Sequence, residues 1–146
     1  MMTHIQVVSG DDESADAELV RNGLYGFNLA TTPHSHYSSV AFFLKDDSGQ
    51  VFGGILGYEW GGWLHITHLW VSDALRGMGF GKHLLAAAEE HATQNGCRRS
   101  LLETFSFQAR PFYERFGYEV AGQIDGYPDG YTCYFMKKSL TDDRQA

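Results

Sequence analysis

Apolar and polar positions along the chain fall into short blocks with two different periods. His4–Val8 reads as a short strand. Asp11–Leu24 reads as a helix, with Val20 and Leu24 four apart and an acid-rich first turn that suits the helix dipole. Tyr25–Tyr37 contains Gly, Asn, Thr-Thr-Pro and two histidines, and is predicted as a loop. Ser39–Lys45 and Val51–Tyr58 are β-rich runs joined by Asp46-Asp47-Ser48-Gly49, a hairpin signal. Gly61-Gly62 marks a turn before a third strand, Trp63–Val71. The period then changes. Gly81, Leu84, Leu85, Ala88, His91 and Ala92 recur every three or four residues and predict a helix over Gly79–Asn95, closed by Asn95-Gly96. Arg98–Phe105 is a strand, Phe107–Phe116 a short helix, and Tyr118–Ile124 and Tyr131–Lys138 are strands around a turn at Pro128-Asp129-Gly130. Thr141–Ala146 reads as a polar, disordered tail. The layout is α+β or mixed α/β. Without repeats or a dividing linker, residues 1–146 are expected to form a single domain.

Composition narrows the function classes. A chain of 146 residues, 43% hydrophobic and 14% aromatic, can bury one core. No apolar run reaches the roughly 18 residues that cross a bilayer. The first residues show no basic stretch followed by an apolar core, so no secretory signal is expected; a cytoplasmic location is expected, with no membrane partner. The formal charge of −7 argues against nucleic acid, which leaves a basic footprint, and is compatible with a cationic acceptor. Cys97 and Cys133 have no metal-ligand spacing, and the pair His34 and His36 lacks a third ligand, so no metal is expected.

The segment from Leu69 to Leu85 carries the chemistry. An apolar strand end and a polar turn lead to glycines at 77, 79 and 81, which open the second helix. Such glycines let backbone approach a ligand closely. The first helical turn offers unpaired N–H groups and the positive dipole end, and Arg76 and Lys82 add charge. A phosphate or pyrophosphate is the expected occupant. The spacing is neither that of a P-loop, since His83 follows Lys82, nor that of a dinucleotide fingerprint.

Arg76, Gly79 and Gly81 instead resemble the [Q/R]-x-x-G-x-[G/A] loop of the GNAT superfamily of acyl-CoA N-acyltransferases. Ser106–Tyr118 resembles a second motif of that family, commonly N-x-x-A-x-x-F-Y-E-K-x-G-F, with Ala109, Phe112-Tyr113-Glu114 and Gly117 at matching offsets and Ser106 in place of the asparagine. The resemblance implies the GNAT fold, a central, mostly antiparallel twisted sheet flanked by helices. It implies acetyl-CoA as cosubstrate and transfer of its acetyl group to a primary amine by direct attack. It implies that Arg76, Gly77, Met78, Gly79, Phe80, Gly81 and Lys82 hold the pyrophosphate, and that the backbone of Leu69, Trp70 and Val71 holds the pantetheine and acetyl end. Tyr113 matches the position of the general acid.

The base is less determined. Alternation along the third strand puts His65, Thr67, Leu69 and Val71 on one face and Ile66, His68 and Trp70 on the other. His65 stands where some family members carry a base; Glu59, Glu103 or water are alternatives. The expected acceptor is a small-molecule amine, with a protein N-terminus or lysine, or a non-catalytic acyl-CoA sensor, as rival readings. Strand edges near the C-terminus leave room for a homodimer.

Overall fold

A computed structural model describes residues 3–34 and 37–141, and the chain divides into two compact units, Met1–Ser35 and His36–Ala146. The first unit is built on one helix, α1 (Ala15–Thr31). Ser14 caps it, its hydroxyl accepting a hydrogen bond from the Ala17 amide at 3.1 Å. The helix stops at Thr32, which precedes Pro33 and is extended (φ −122°, ψ 159°). It thus runs through Tyr25–Thr31, predicted as a loop. Gly23 and Gly26 each cost about 1 kcal/mol of helix propensity, which weakens a helix without ending it. The predicted strand at His4–Val8 is instead irregular and exposed. Of the predicted tail, the residues after Thr141 lie outside the described ones.

The second unit is a six-stranded sheet: β1 (Tyr37–Lys45), β2 (Val51–Trp60), β3 (Trp63–Val71), β4 (Arg99–Phe105), β5 (Glu119–Asp125) and β6 (Thr132–Ser139), in the order β1-β2-β3-β4-β6-β5. Every pairing is antiparallel except β3 with β4. A parallel pair needs a crossover, and helix α2 (Phe80–Gln94) supplies it, packing on β1, β2 and β3. A third helix, α3 (Arg110–Arg115), joins the same core through Tyr113 and Phe112. Ile55, Leu64, Leu85, Leu102 and Met136 are fully buried there, each stabilising the fold by about 1.5–3 kcal/mol.

Two irregularities of β3 set the geometry at the middle of the sheet. Leu56 pairs with His68 and Gly57 with Ile66, so Thr67 is an extra residue, a β-bulge. Leu64 and Ile66 face the core before it, and Leu69 and Val71 after it. The bulge inverts the alternation. His65 therefore lies opposite Leu69 and Val71, not beside them, and shares its face with Tyr58. Gly57 makes the bulge possible, because a Cβ there would run into the His65 carbonyl oxygen. The second irregularity is a fork. The β3–β4 ladder joins Trp63–Ile66 to Arg99–Leu102 and then stops, although both strands continue.

Candidate active site

The fork opens into a cleft of about 570 Å³. Beyond Ile66, β3 keeps its ladder to β2 but has no strand on its other edge. No strand meets its backbone polar groups on that side, though the Val71 carbonyl there accepts from Arg76 Nε. Leu69, Trp70 and Val71 form this wall; Glu103 and Thr104 of β4 face them, and Arg76, Gln108 and Tyr113 complete the lining. The structure thus brings Tyr113 and the predicted strand residues together.

Two features at the mouth suit an elongated ligand with an anionic end, and a third polar group, on Ser72, lies buried next to Val71. Gly77 and Gly79 are left-handed (φ 78° and 87°), with open space where a Cβ would stand. Gly79 is the N-cap of α2 and offers no side-chain cap to the first-turn amides. The Ser72 hydroxyl is buried with no hydrogen-bond partner, alone in this among the described side chains. Nothing in the sequence singles out that serine. Arg76 is folded back, its Nε donating to the Val71 carbonyl at 3.1 Å and its guanidinium 2.9 Å from the Asp73 carboxylate. It therefore also braces the loop. Gly81 has a packing reason: a Cβ there would lie 3.3 Å from the Phe112 ring of α3. Met78 and Lys82 are exposed on this turn, and Phe80 is half-buried.

Inside the cleft the titratable groups differ in state. Burial pushes the Tyr113 phenol up to about 12, so it stays protonated and able to donate. Burial pulls His65 below the usual imidazole range, partly opposed by the Glu103 carboxylate. The His65 Nδ1 is hydrogen-bonded to the Tyr58 hydroxyl, and its side chain is not part of the cleft wall. His68 is part of it, exposed beside Thr67. Glu59 faces the other way, its carboxylate buried against α2 and held by His91 Nδ1 at 2.7 Å and Asn95 Nδ2 at 2.9 Å. Ser106 is committed to Thr132, whose amide it accepts at 3.0 Å. Gln108, a variable position in the second motif, uses its side-chain oxygen to accept from the Thr104 hydroxyl and the Phe105 amide. Among the described residues no group of three His, Cys, Asp or Glu could hold a metal; His36 lies outside them. No described helix is long and apolar enough to cross a membrane.

Comparison with known proteins agrees with this geometry. The model of the GNAT acetyltransferase family matches residues 11–118. Blasticidin-S acetyltransferase of Streptomyces morookaense is 42% identical over 101 residues, covering 68% of this chain and 74% of its own. The acetyltransferase Atu2258 of Agrobacterium fabrum is 33% identical over 132 residues, 90% of this chain and 96% of its own. A crystal structure of an acetyltransferase from Bacillus cereus superposes with a TM-score of 0.81 at 31% identity, covering 94% of this chain and 97% of that one. The forked sheet, the uncapped glycine turn and these matches have one reading: the chain belongs to the GNAT family and is an acetyl-CoA-dependent N-acetyltransferase.

Proposed function

We propose that the protein acetylates a primary amine of a small molecule by direct attack within a ternary complex. Residues 1–146 would act as one catalytic domain. The observation that carries the acceptor class is the 42% identity to an enzyme named for blasticidin S. A charge of −7 favours a cationic acceptor over an anionic one.

The residues present fit acetyl-CoA, which supplies an acyl thioester. The first-turn amides of α2, the backbone of Gly77–Gly81 and the charge of Lys82 would hold its pyrophosphate. The edge of β3 at Leu69, Trp70 and Val71 would pair with its amide-bearing arm. A backbone N–H of that edge, aimed at the carbonyl oxygen, would stabilise the developing charge. Tyr113 would donate its proton to the departing sulfur. Two imidazoles on β3, those of His65 and His68, are the candidates to take the amine's own proton. An acyl-enzyme route finds no support: the only cysteines are buried, and burial raises both thiols.

The test is a panel assay that follows thiol release from acetyl-CoA. Blasticidin S, spermidine and an aminoglycoside are offered beside a peptide with a free N-terminus and a lysine. Turnover of a small amine is expected. Turnover of the peptide alone would assign the acceptor to protein, and binding without any turnover would make the chain a sensor.

A further inference from the structure

The bulge at Thr67 does more than reverse the alternation of β3. In a regular strand, neighbouring side chains point to opposite faces. Here Thr67 and His68 are both exposed and adjacent. The Thr67 hydroxyl lies 3.1 Å from the Leu56 carbonyl, to which it donates, and 3.0 Å from His68 Nδ1. A hydroxyl has one proton. Spent on Leu56, it leaves Thr67 only a lone pair for the imidazole, so Nδ1 of His68 must carry the hydrogen of that bond. In a neutral imidazole the other nitrogen is then bare. Nε2 of His68, a residue that lines the cleft, is then the nitrogen with the lone pair.

Resting on the reading that the acceptor is an amine, we propose that His68 is the general base toward it and that Thr67 is its positioning residue. An acceptor that arrives as the ammonium first gives one proton to solvent; His68 Nε2 then takes a second from the nitrogen of the neutral amine as the new N–C bond forms. The C–S bond breaks, and the sulfur receives the Tyr113 proton. Solvent then takes the proton from His68 and restores the one on Tyr113. His65 does not share this role. Its Nδ1 is held by Tyr58, and it sits outside the cleft wall.

The titratable and charged groups that line the same cleft as His68 are Glu103 of β4, Tyr113 of α3 and Arg76 of the loop, and the paired His65 and Tyr58 lie on its face of the sheet. Of these, Glu103 is the rival base. As an exposed carboxylate across the cleft, it is better suited to attract a cationic amine.

Two measurements decide the matter. Nitrogen-15 NMR of histidine-labelled protein, without any acceptor, reads the His68 tautomer. Hydrogen on Nδ1 is expected in the parent and in Thr67→Ser, and its loss in Thr67→Val. The pH dependence of kcat is then followed with saturating acetyl-CoA and blasticidin S, or with whichever amine of the panel is turned over. His68→Gln is expected to lower kcat by about 100-fold or more and to remove the acid limb of the profile, with the KM for acetyl-CoA little changed. Thr67→Val lowers kcat several-fold, and Thr67→Ser restores it. His65→Gln keeps the acid limb.

A parent tautomer with Nδ1 bare overturns the His68 assignment. So does loss of the acid limb in His65→Gln or Glu103→Gln but not in His68→Gln. Absence of transfer to every amine by the parent defeats the acceptor reading, and the base role falls with it. The NMR result shows which of the two has failed.

Discussion

Single atoms decide much of this site. Tyr113 is 7% exposed and lines the cleft, so Tyr113→Phe removes a proton donor while leaving the ring in place. Its kcat is expected to fall about 100-fold with little change in acetyl-CoA affinity, read by steady-state kinetics. Equal kcat in mutant and parent would reject the acid role. Ser72 makes the opposite test. Its hydroxyl is buried and unpartnered, so Ser72→Ala should leave the melting temperature of the free protein unchanged or raise it, since it deletes an unsatisfied group. Thermal melts of the variant and the parent measure it, and a lower melting temperature in the variant would mean that the hydroxyl has a partner after all. At this scale the sequence was partly legible. Tyr113 could be found because its neighbours form a motif. Ser72 could not, because an orphaned hydroxyl is a property of packing and leaves no trace in spacing.

Among the elements, the bulge in β3 depends on Gly57. Gly57→Ala should destabilise the protein by about 2–3 kcal/mol, because the new methyl meets backbone and not a movable side chain. Denaturant melts would show it, and wild-type stability would mean that the bulge does not need the glycine. The hairpin between β1 and β2 was readable in advance, since Asp46 binds the Ser48 and Gln50 amides and Gly49 takes φ 87°, the chemistry its sequence advertises. The bulge was not readable. Thr67 and His68 fit the polar phase of either register, so a shift of one residue leaves hydropathy unchanged. Helix α1 was cut short for a related reason: Gly26 and Asn28 look like stop signals, yet the chain first breaks at Thr32, before Pro33.

For the whole molecule, protons and cosubstrate both couple to stability. The Tyr113 phenol is held up to about 12 and that of Tyr118 higher still, mainly by burial. A phenol that keeps its proton more tightly when folded contributes stability that is complete below its ordinary value near 10. That stability is lost as pH rises through the folded value. Chemical denaturation followed from pH 9 to 12 should show stability falling by about 1.4 kcal/mol per unit for each such phenol. Tyr113→Phe should flatten the slope; an unchanged slope would remove Tyr113 as its source. Acetyl-CoA at about 100 times its Kd should add roughly 2.7 kcal/mol, seen as a higher melting temperature, whereas ATP and NAD should add none.

The two halves of the sheet meet along a seam that ends at Ile66 and Leu102. A plate joined along part of its length bends about the end of the joint. Opening of the cleft can therefore be a rotation of β1-β2-β3 against β4-β6-β5 that breaks no rung of any ladder. Points next to the pivot hardly travel in such a rotation, and points far from it sweep widely. Thr67 and His68 sit beside the pivot, whereas Val71 and Arg76 stand at the rim. The fork thus separates tolerance from accuracy: its rim can gape to admit a bulky nucleotide while the groups at its apex keep their spacing.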